Sequence, residues 1–443
     1  MLPRMCFFLV QYVSMSKPIL AINGGTPVRT KPWQESNAIG REEMQGVVRV
    51  MKSGRLSLYL GVYKPAPPYN FLGGPEVQAL EKLAEKHIGV AHVVAVNSAT
   101  SGLMAAIGAL GLGFGDEVIV SPYTMSACAV VPLWYGAIPV FADVELSTGC
   151  LDPQSIRKRL TPRTKAILVI HQFGIPANMD EIMKIAREHK LKVIEDCAQA
   201  WGAKWKGRAV GTIGDIGVFS FNVHKTIQCG EGGLCVTKDP ELAFRLQMIR
   251  NHGESIVSDA KYANITNIVG CNFRMTELQA AVAQAQLKKL KKLNAVRTKL
   301  VRALAQGLQQ YDAFDILGLD DDRESTYYIC PIRFYSKKLH GISRAEFVRM
   351  LKAEGIPFGE GYVRPLYLLP LFQKRIAFKH GYPWSAPENK ASKPSYEKGI
   401  CPNAERLFEK DLLLHFYLCY PQEERDVRDI IKGMEKVSAF LHV

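Results

Sequence analysis

Val93-Val94-Ala95-Val96-Asn97-Ser98-Ala99-Thr100-Ser101-Gly102 decides how the rest of the chain reads. An apolar, β-branched run stops at Asn97 and passes at once into small and hydroxyl residues, which lead into a helix expected over 102–112. A strand feeding a helix through so short a turn is the unit of a sheet covered on both faces. The unit repeats: strands are expected at 117–120, 138–142, 166–170 and 191–195, alternating with helices at 125–135, 153–160 and 178–189. Gly113-Phe114-Gly115-Asp116 and Thr161-Pro162-Arg163-Thr164 supply turn chemistry where the periodicity changes. The stretch 93–240 therefore specifies an α/β fold with a mostly parallel central sheet flanked by helices.

Further along, Thr276 and Gln279 have capping-box spacing and open a long helix, in which Leu278, Val282, Ala285, Leu287, Leu290 and Leu293 keep helical spacing. Lys288, Lys289, Lys291 and Lys292 fall between the leucines. With no aromatic among them they read as a solvated face, not a nucleic-acid patch. Beyond residue 300 the pattern changes to a strand at 327–332, a helix at 344–354 and a last helix at 422–437. We expect a large α/β domain over 17–298 and a smaller α+β domain over 299–443. Gln373 to Ile400, polar and rich in Pro and Lys, is expected to be an exposed loop. Residues 1–16 read as an N-terminal extension, since Met15 could be the authentic start. The apolar run Cys6–Val10 only faintly imitates a secretory signal, and Gln11 interrupts it.

The 443 residues, 47% hydrophobic and 22% charged, rule out disorder, collagen and coiled coil for the whole chain. No run approaches the ~18–20 apolar residues of a membrane-spanning helix. A net charge of +14 favours anionic partners without separating nucleic acid from phosphorylated small molecules. Ten cysteines lie scattered, with no C-x-x-C and no Cys/His spacing suited to zinc. They predict free thiols in a reducing cytoplasm and no metal.

Three strand ends carry chemistry. At Asn97–Gly102 the first amides of a helix, with the hydroxyls of Thr100 and Ser101, could cradle a phosphate. Ser98 or Thr100 could equally be a plain helix cap. At Val193-Ile194-Glu195-Asp196-Cys197-Ala198-Gln199 a carboxylate closes an apolar strand, where open α/β sheets address ligands. Alternation puts Glu195 and Asp196 on opposite sides, so one could be structural. A cofactor pyridine nitrogen needs such a buried carboxylate to stay protonated. At Phe219-Ser220-Phe221-Asn222-Val223-His224-Lys225, ahead of Gly230-Glu231-Gly232-Gly233, a lone lysine suits Schiff-base chemistry, because burial lowers an amine's pKa. A solvated surface lysine is the alternative, and His224 beside it reads as a packing or capping imidazole.

Taken in order, these segments resemble the pyridoxal-phosphate-dependent sugar aminotransferases of the DegT/DnrJ/StrS family, a branch of the aspartate-aminotransferase (fold type I) enzymes. The resemblance runs from Ile22-Asn23-Gly24-Gly25-Thr26-Pro27-Val28-Arg29 through Phe71-Leu72-Gly73-Gly74-Pro75-Glu76-Val77 and Gly115-Asp116-Glu117-Val118-Ile119-Val120. It continues through Glu195–Ala200, Gly230–Gly233, Arg250-Asn251-His252-Gly253 and Asn272-Phe273-Arg274-Met275 to the terminal helix. It implies that Lys225 bonds pyridoxal phosphate through a Schiff base, that Asp196 pairs with the pyridinium nitrogen and that Gln199 lies near the ring hydroxyl. Thr100, Ser101 and Ser220 would hold the phosphate. Asn272, with Arg274 beside it, would reach the phosphate of a neighbouring subunit, implying a homodimer with shared active sites.

The chain departs from the family at Pro122-Tyr123-Thr124-Met125, where the last position usually holds Phe or Trp to stack on the cofactor ring. Met125 would touch the ring through its sulfur instead, and Ala198 would cover the opposite face. The implied reaction moves an amino group from glutamate or glutamine to a ketone on a sugar or cyclitol, expected to be nucleotide-linked, in amino-sugar biosynthesis. Tyr123, His171, Tyr362 and Tyr367 are candidate pocket residues. Two alternatives stand beside this reading. One is a dehydratase, in which the lysine is replaced, typically by histidine; counting from Ser220, Lys225 fills that position and argues against it. The other is a regulator or nucleic-acid binder that keeps the fold, which would leave the intact set of site residues unexplained. Neither a membrane nor a nucleic acid is expected as a partner.

Overall fold

The computed structural model describes residues 18–442; the expectations for residues 1–16 lie outside that range. Seven strands form the large sheet: β1 (His92–Val96), β2 (Glu117–Val120), β3 (Ile138–Phe141), β4 (Thr164–Ile170), β5 (Lys192–Asp196), β6 (Ile216–Ser220) and β7 (Gly233–Thr237). Their order is β1-β7-β6-β5-β4-β2-β3. β7 runs antiparallel to both neighbours, and every other pairing from β6 to β3 is parallel. Strands β2, β3, β6 and β7 are buried at every position. That explains why they read as continuous apolar runs, since helices cover both faces.

Most elements fall where the sequence places them, with instructive shifts. The first sheet helix begins at Ala99, not 102, because Ser98 caps it by accepting the Ser101 amide at 3.1 Å. β5 extends to Asp196, so this carboxylate closes the strand. The capping box is present: Thr276 Oγ1 accepts from Gln279 N, and Gln279 Oε1 accepts from Thr276 N at 3.0 Å. It opens a 32-residue helix, Glu277–Leu308, which runs through the expected domain boundary at 298–299. Of the four lysines that fall between the leucines, Lys289 pairs with Glu43 at 2.7 Å and Glu42 at 3.1 Å.

The C-terminal part builds a second, antiparallel sheet in the order Phe314–Ile316, Cys330–Phe334, Leu412–His415, Gly359–Glu360. The strand expected at 327–332 starts at Cys330, because Tyr327 has a positive φ of 49° that breaks extended backbone. One apolar cluster spans both sheets, from Leu20 through Val120, Ile194 and Ile332 to Val437. Arg29 ties the start of the described chain to its last helix by ion pairs to Asp426 at 2.8 Å and Asp429 at 2.7 Å.

The loop expected at 373–400 is exposed over most of its length, as expected, but a set of buried anchors corrects the picture of a free loop. Trp384, Ala386, Asn389, Ser392 and Tyr396 are buried, and the segment closes over the edge strand β3. Tyr396 donates its hydroxyl to Pro139 O at 2.8 Å and accepts Trp384 Nε1 at 3.1 Å. Phe141 meets Tyr396 edge-on at 5.6 Å and Phe372 at 5.2 Å. Asn389 accepts Gly115 N at 2.7 Å and donates to Gly136 O at 2.9 Å. The segment is an edge cover, which withholds β3's unpaired backbone from strand addition.

Candidate active site

The parallel strands align their carboxyl ends: Ile170 of β4 pairs with Asp196 of β5, which pairs with Val218 of β6. Along that edge lie the Ser98 cap, the turn after β2, Asp196 and the loop from Ser220 to Gly232. It is the edge from which such sheets bind ligands.

Glu195 and Asp196, adjacent in β5, are provisioned differently. Glu195 is fully buried and accepts Gly211 N at 2.8 Å, Ile213 N at 2.7 Å, Gly214 N at 2.6 Å and His171 Nε2 at 3.0 Å. Burial alone would raise its carboxyl; the bond from His171 and the backbone amides outweigh it and hold the group below the usual glutamate range. Ala177 N donates to His171 Nδ1 at 3.1 Å, which leaves the ring proton on Nε2, facing Glu195. The donor atoms of His171, Glu195 and Cys197 gather within 4.8 Å, yet these bonds occupy the imidazole and the carboxylate. Glu195 is the structural acid of the pair.

Asp196 is 7% exposed and has two donors: Ala198 N to Oδ1 at 2.9 Å and Cys128 Sγ to Oδ2 at 2.9 Å. A carboxylate offers about four acceptor sites, so Asp196 keeps capacity that Glu195 has spent. Lys225 makes no ion pair among the described residues; its Nζ lies over the Tyr328 ring at 4.7 Å. Burial pushes its amine down, against the opposing pull of Asp196. A desolvated amine near a buried carboxylate suits a nucleophile that works near neutral pH.

At the phosphate end, Ser98 is the cap, and the Ser101 hydroxyl is taken up locally, donating within reach of Asn97 Oδ1 at 2.5 Å and Ser98 O at 2.9 Å. The first-turn amides and the exposed Thr100 remain to meet an anion. Gly233 keeps this space open: a Cβ there would stand 2.7 Å from Ala99 N. Ser220 is buried, and its Oγ accepts Asn222 N at 3.2 Å. Gln199 accepts Phe173 N at 2.8 Å and donates to Tyr362 Oη at 3.3 Å. Met125 is 63% exposed, His224 is exposed and Ala198 is half-buried.

Asn272 is exposed; its carbonyl accepts Asn97 Nδ2 at 3.3 Å and its Oδ1 accepts Arg274 N at 3.4 Å. Arg274 has Tyr59 and Arg250 among its charged and polar neighbours.

Of the four candidate pocket residues, Tyr362 alone reaches the site, through Gln199. His171 serves Glu195, Tyr123 is buried and accepts Tyr362 N at 2.9 Å, and Tyr367 is buried against Phe141 and bonds Glu405. Cys128 and Tyr328 are the residues that the sequence reading missed. Cys128 lies four positions after Thr124, on a helix leaving a turn already singled out, so helical spacing could have drawn it in. Tyr328, in a run read as strand, carried no signal.

The donor set fits pyridoxal phosphate: a desolvated lysine, an under-bonded buried carboxylate, and open amides at a helix start for the phosphate. Comparisons with known proteins agree. The chain matches the model of the DegT/DnrJ/EryC1/StrS aminotransferase family over residues 68–397. It is 32% identical over 408 residues to the spore coat polysaccharide biosynthesis protein SpsC of Bacillus subtilis, covering 90% of this chain and 96% of that protein. It is also 32% identical over 429 residues to the L-glutamine:2-deoxy-scyllo-inosose aminotransferase of Streptoalloteichus tenebrarius, covering 94% and 97%. A solved aminotransferase from Psychrobacter cryohalolentis superposes with a TM-score of 0.79 at 29% identity, covering 93% of this chain and 100% of that one. DesV of S. venezuelae gives 0.74 at 31% identity, covering 90% and 94%. The match spans the sheet and both strand ends that bear Asp196 and Lys225, and the chain accordingly belongs to the DegT/DnrJ/EryC1/StrS aminotransferase family, whose cofactor is pyridoxal phosphate.

Proposed function

We propose that this enzyme transfers the amino group of glutamine or glutamate to the ketone of a sugar or cyclitol, with Lys225 and Asp196 as its catalytic residues. The amino donor leaves as a 2-oxo acid and the acceptor carbonyl becomes a primary amine, so the exchange balances without an external oxidant. The observation that carries this reading is the contrast between saturated Glu195 and under-bonded Asp196, with a desolvated Lys225 nearby.

When bound, pyridoxal phosphate supplies an aldehyde for amine exchange and a ring that withdraws electrons when protonated. Asp196 holds a proton at the ring nitrogen, which its two remaining acceptor sites permit. Lys225 Nζ would hold the cofactor by its aldehyde carbon and, once displaced by the incoming amine, would move a proton at the substrate carbon, a task its lowered basicity favours. The amides at the start of helix Ala99–Ala109, with Thr100, take the phosphate, assisted by Ser220 and Ser101. Gln199, Ala198 and Met125 border the ring. Tyr362, fixed through its amide by Tyr123 and through its hydroxyl by Gln199, limits the acceptor side.

Asn272 and Arg274 serve a partner subunit. The exposed side chains Met125, Val223, Ile265 and Val269, each more than half exposed, are the kind of apolar surface that a second copy covers. We place the enzyme in the cytoplasm, on its scattered free thiols, and take the acceptor to be nucleotide-linked, which would use the positive charge.

The test is a mass measurement after incubation with pyridoxal phosphate, L-glutamine and either a nucleotide-diphosphate ketosugar or a free keto-cyclitol. An amine replacing the carbonyl in the first supports the reading in full, and in the second corrects only the linkage. No amine and no 2-oxo acid from either would overturn it. Mixing Lys225→Ala with Asn272→Ala subunits tests the sharing: regained activity supports it, and none contradicts it.

A further inference from the structure

We propose that Cys128 is a positioning residue for Asp196, its buried thiol fixing the rotation of the carboxylate that meets the cofactor nitrogen. The Cys128 thiol is fully buried and donates to Asp196 Oδ2 at 2.9 Å, while Ala198 N takes Oδ1 at 2.9 Å. One donor on each oxygen sets the plane of the group; the backbone donor alone leaves the second oxygen free to swing. Thr124, itself buried, bonds the sulfur from the preceding turn, so the chain Thr124–Cys128–Asp196 ties the carboxylate to the end of β2.

The other cysteines with a thiol bond among the described residues behave differently. Cys150, Cys197, Cys229, Cys235, Cys271 and Cys419 donate to backbone carbonyls at 3.3, 3.7, 3.3, 3.6, 3.9 and 3.7 Å respectively. Cys128 alone among them is given to a carboxylate, and at the shortest distance. Burial, then the charge of Asp196, hold its thiol well above the usual cysteine range, so it stays a donor and adds no second negative charge beside the ring nitrogen. A donor that remains neutral supports the carboxylate without taking over its charge.

The inference rests on the reading of Asp196 given above, and the experiment separates the two. Full-length protein, Cys128→Ala, Cys128→Ser and Asp196→Asn are compared by equilibrium titration with pyridoxal phosphate across pH, alongside the melting temperature without cofactor. In Cys128→Ala, affinity should fall roughly tenfold. Cys128→Ser, which keeps a donor, should restore it. The other titratable groups near Asp196, namely Lys225, Cys197 and Tyr362, are common to all the Cys128 variants. Equal losses in Cys128→Ala and Cys128→Ser, or wild-type binding in Cys128→Ala, would overturn the proposal. If Asp196→Asn binds and titrates as wild type, the reading of Asp196 fails and takes the proposal with it.

Discussion

Glu117, at the amino end of β2, accepts hydroxyl protons from Thr161 and from Ser392 of segment 373–400, each at 2.5 Å. Asp196, at the carboxyl end of β5, has one thiol and one amide, and its end of the sheet is left open. Both carboxylates are buried in the same sheet. Each accepts two donors, but the donors differ: at one end two hydroxyls from distant segments tie the fold together, and at the other the carboxylate stands beside a desolvated lysine and a helix start and forms a site. Substitutions at the first end should therefore move melting without changing chemistry per folded molecule, and substitutions at the second should do the reverse.

The sharpest break of that comparison uses the two neighbours in β5. Asp196→Ala should lower kcat/KM by roughly a thousandfold, about 4 kcal/mol of barrier, and leave the melting of the cofactor-free protein nearly in place. Glu195→Gln should cost about 3–5 kcal/mol of stability, because three amides and His171 lose their anion. Denaturant unfolding beside steady-state kinetics separates the two. If Asp196→Ala melts early, or Glu195→Gln folds normally and loses only turnover, the division of labour is wrong.

Truncating the edge cover comes next. Trp384→Ala should destabilise by about 3–5 kcal/mol through the cavity it leaves, with turnover per folded molecule unchanged. Tyr396→Phe keeps the packing and removes the bonds to Pro139 and Trp384, which should cost about 1–2 kcal/mol. An activity change in Tyr396→Phe without a stability change would show that segment 373–400 communicates with the active site.

The smallest effect is a pH slope. Burial lowers the Lys225 amine in the folded chain, so the unfolded chain binds that proton more tightly. Stability of the cofactor-free protein should therefore rise with pH through the window that ends near the ordinary lysine value of 10.5. Lys225→Met should flatten that part of the unfolding free-energy curve; an unchanged slope would mean that Lys225 is solvated.

Much of the open end was legible in the sequence because its residues sit at strand ends. Asp196, Ser220 and Lys225 follow apolar runs, and period and turn chemistry place those runs directly. The closed end was legible only in part. Lys- and Pro-rich composition marks most of 373–400 as solvent-facing, as it is, but its anchors find their partners far away in the chain: Tyr396 meets Pro139 257 positions off and Ser392 meets Glu117 275 positions off. No local pattern encodes such contacts. Cys128 was missed for a related reason, since a thiol in an apolar helix looks like core until its acceptor is known. Alternation alone did not separate Glu195 from Asp196, because it gives opposite faces without saying which face the backbone amides of 211–214 will reach; the family resemblance singled out Asp196.

The most direct measurement of the central claim is the absorbance spectrum of the purified protein with pyridoxal phosphate, before and after L-glutamine or L-glutamate, beside Lys225→Ala. The open end predicts a visible band from lysine-bound cofactor that is replaced by a pyridoxamine-like band on adding the donor, and no borohydride-trappable cofactor in the variant. Absence of that band in the parent at saturating cofactor would contradict the account.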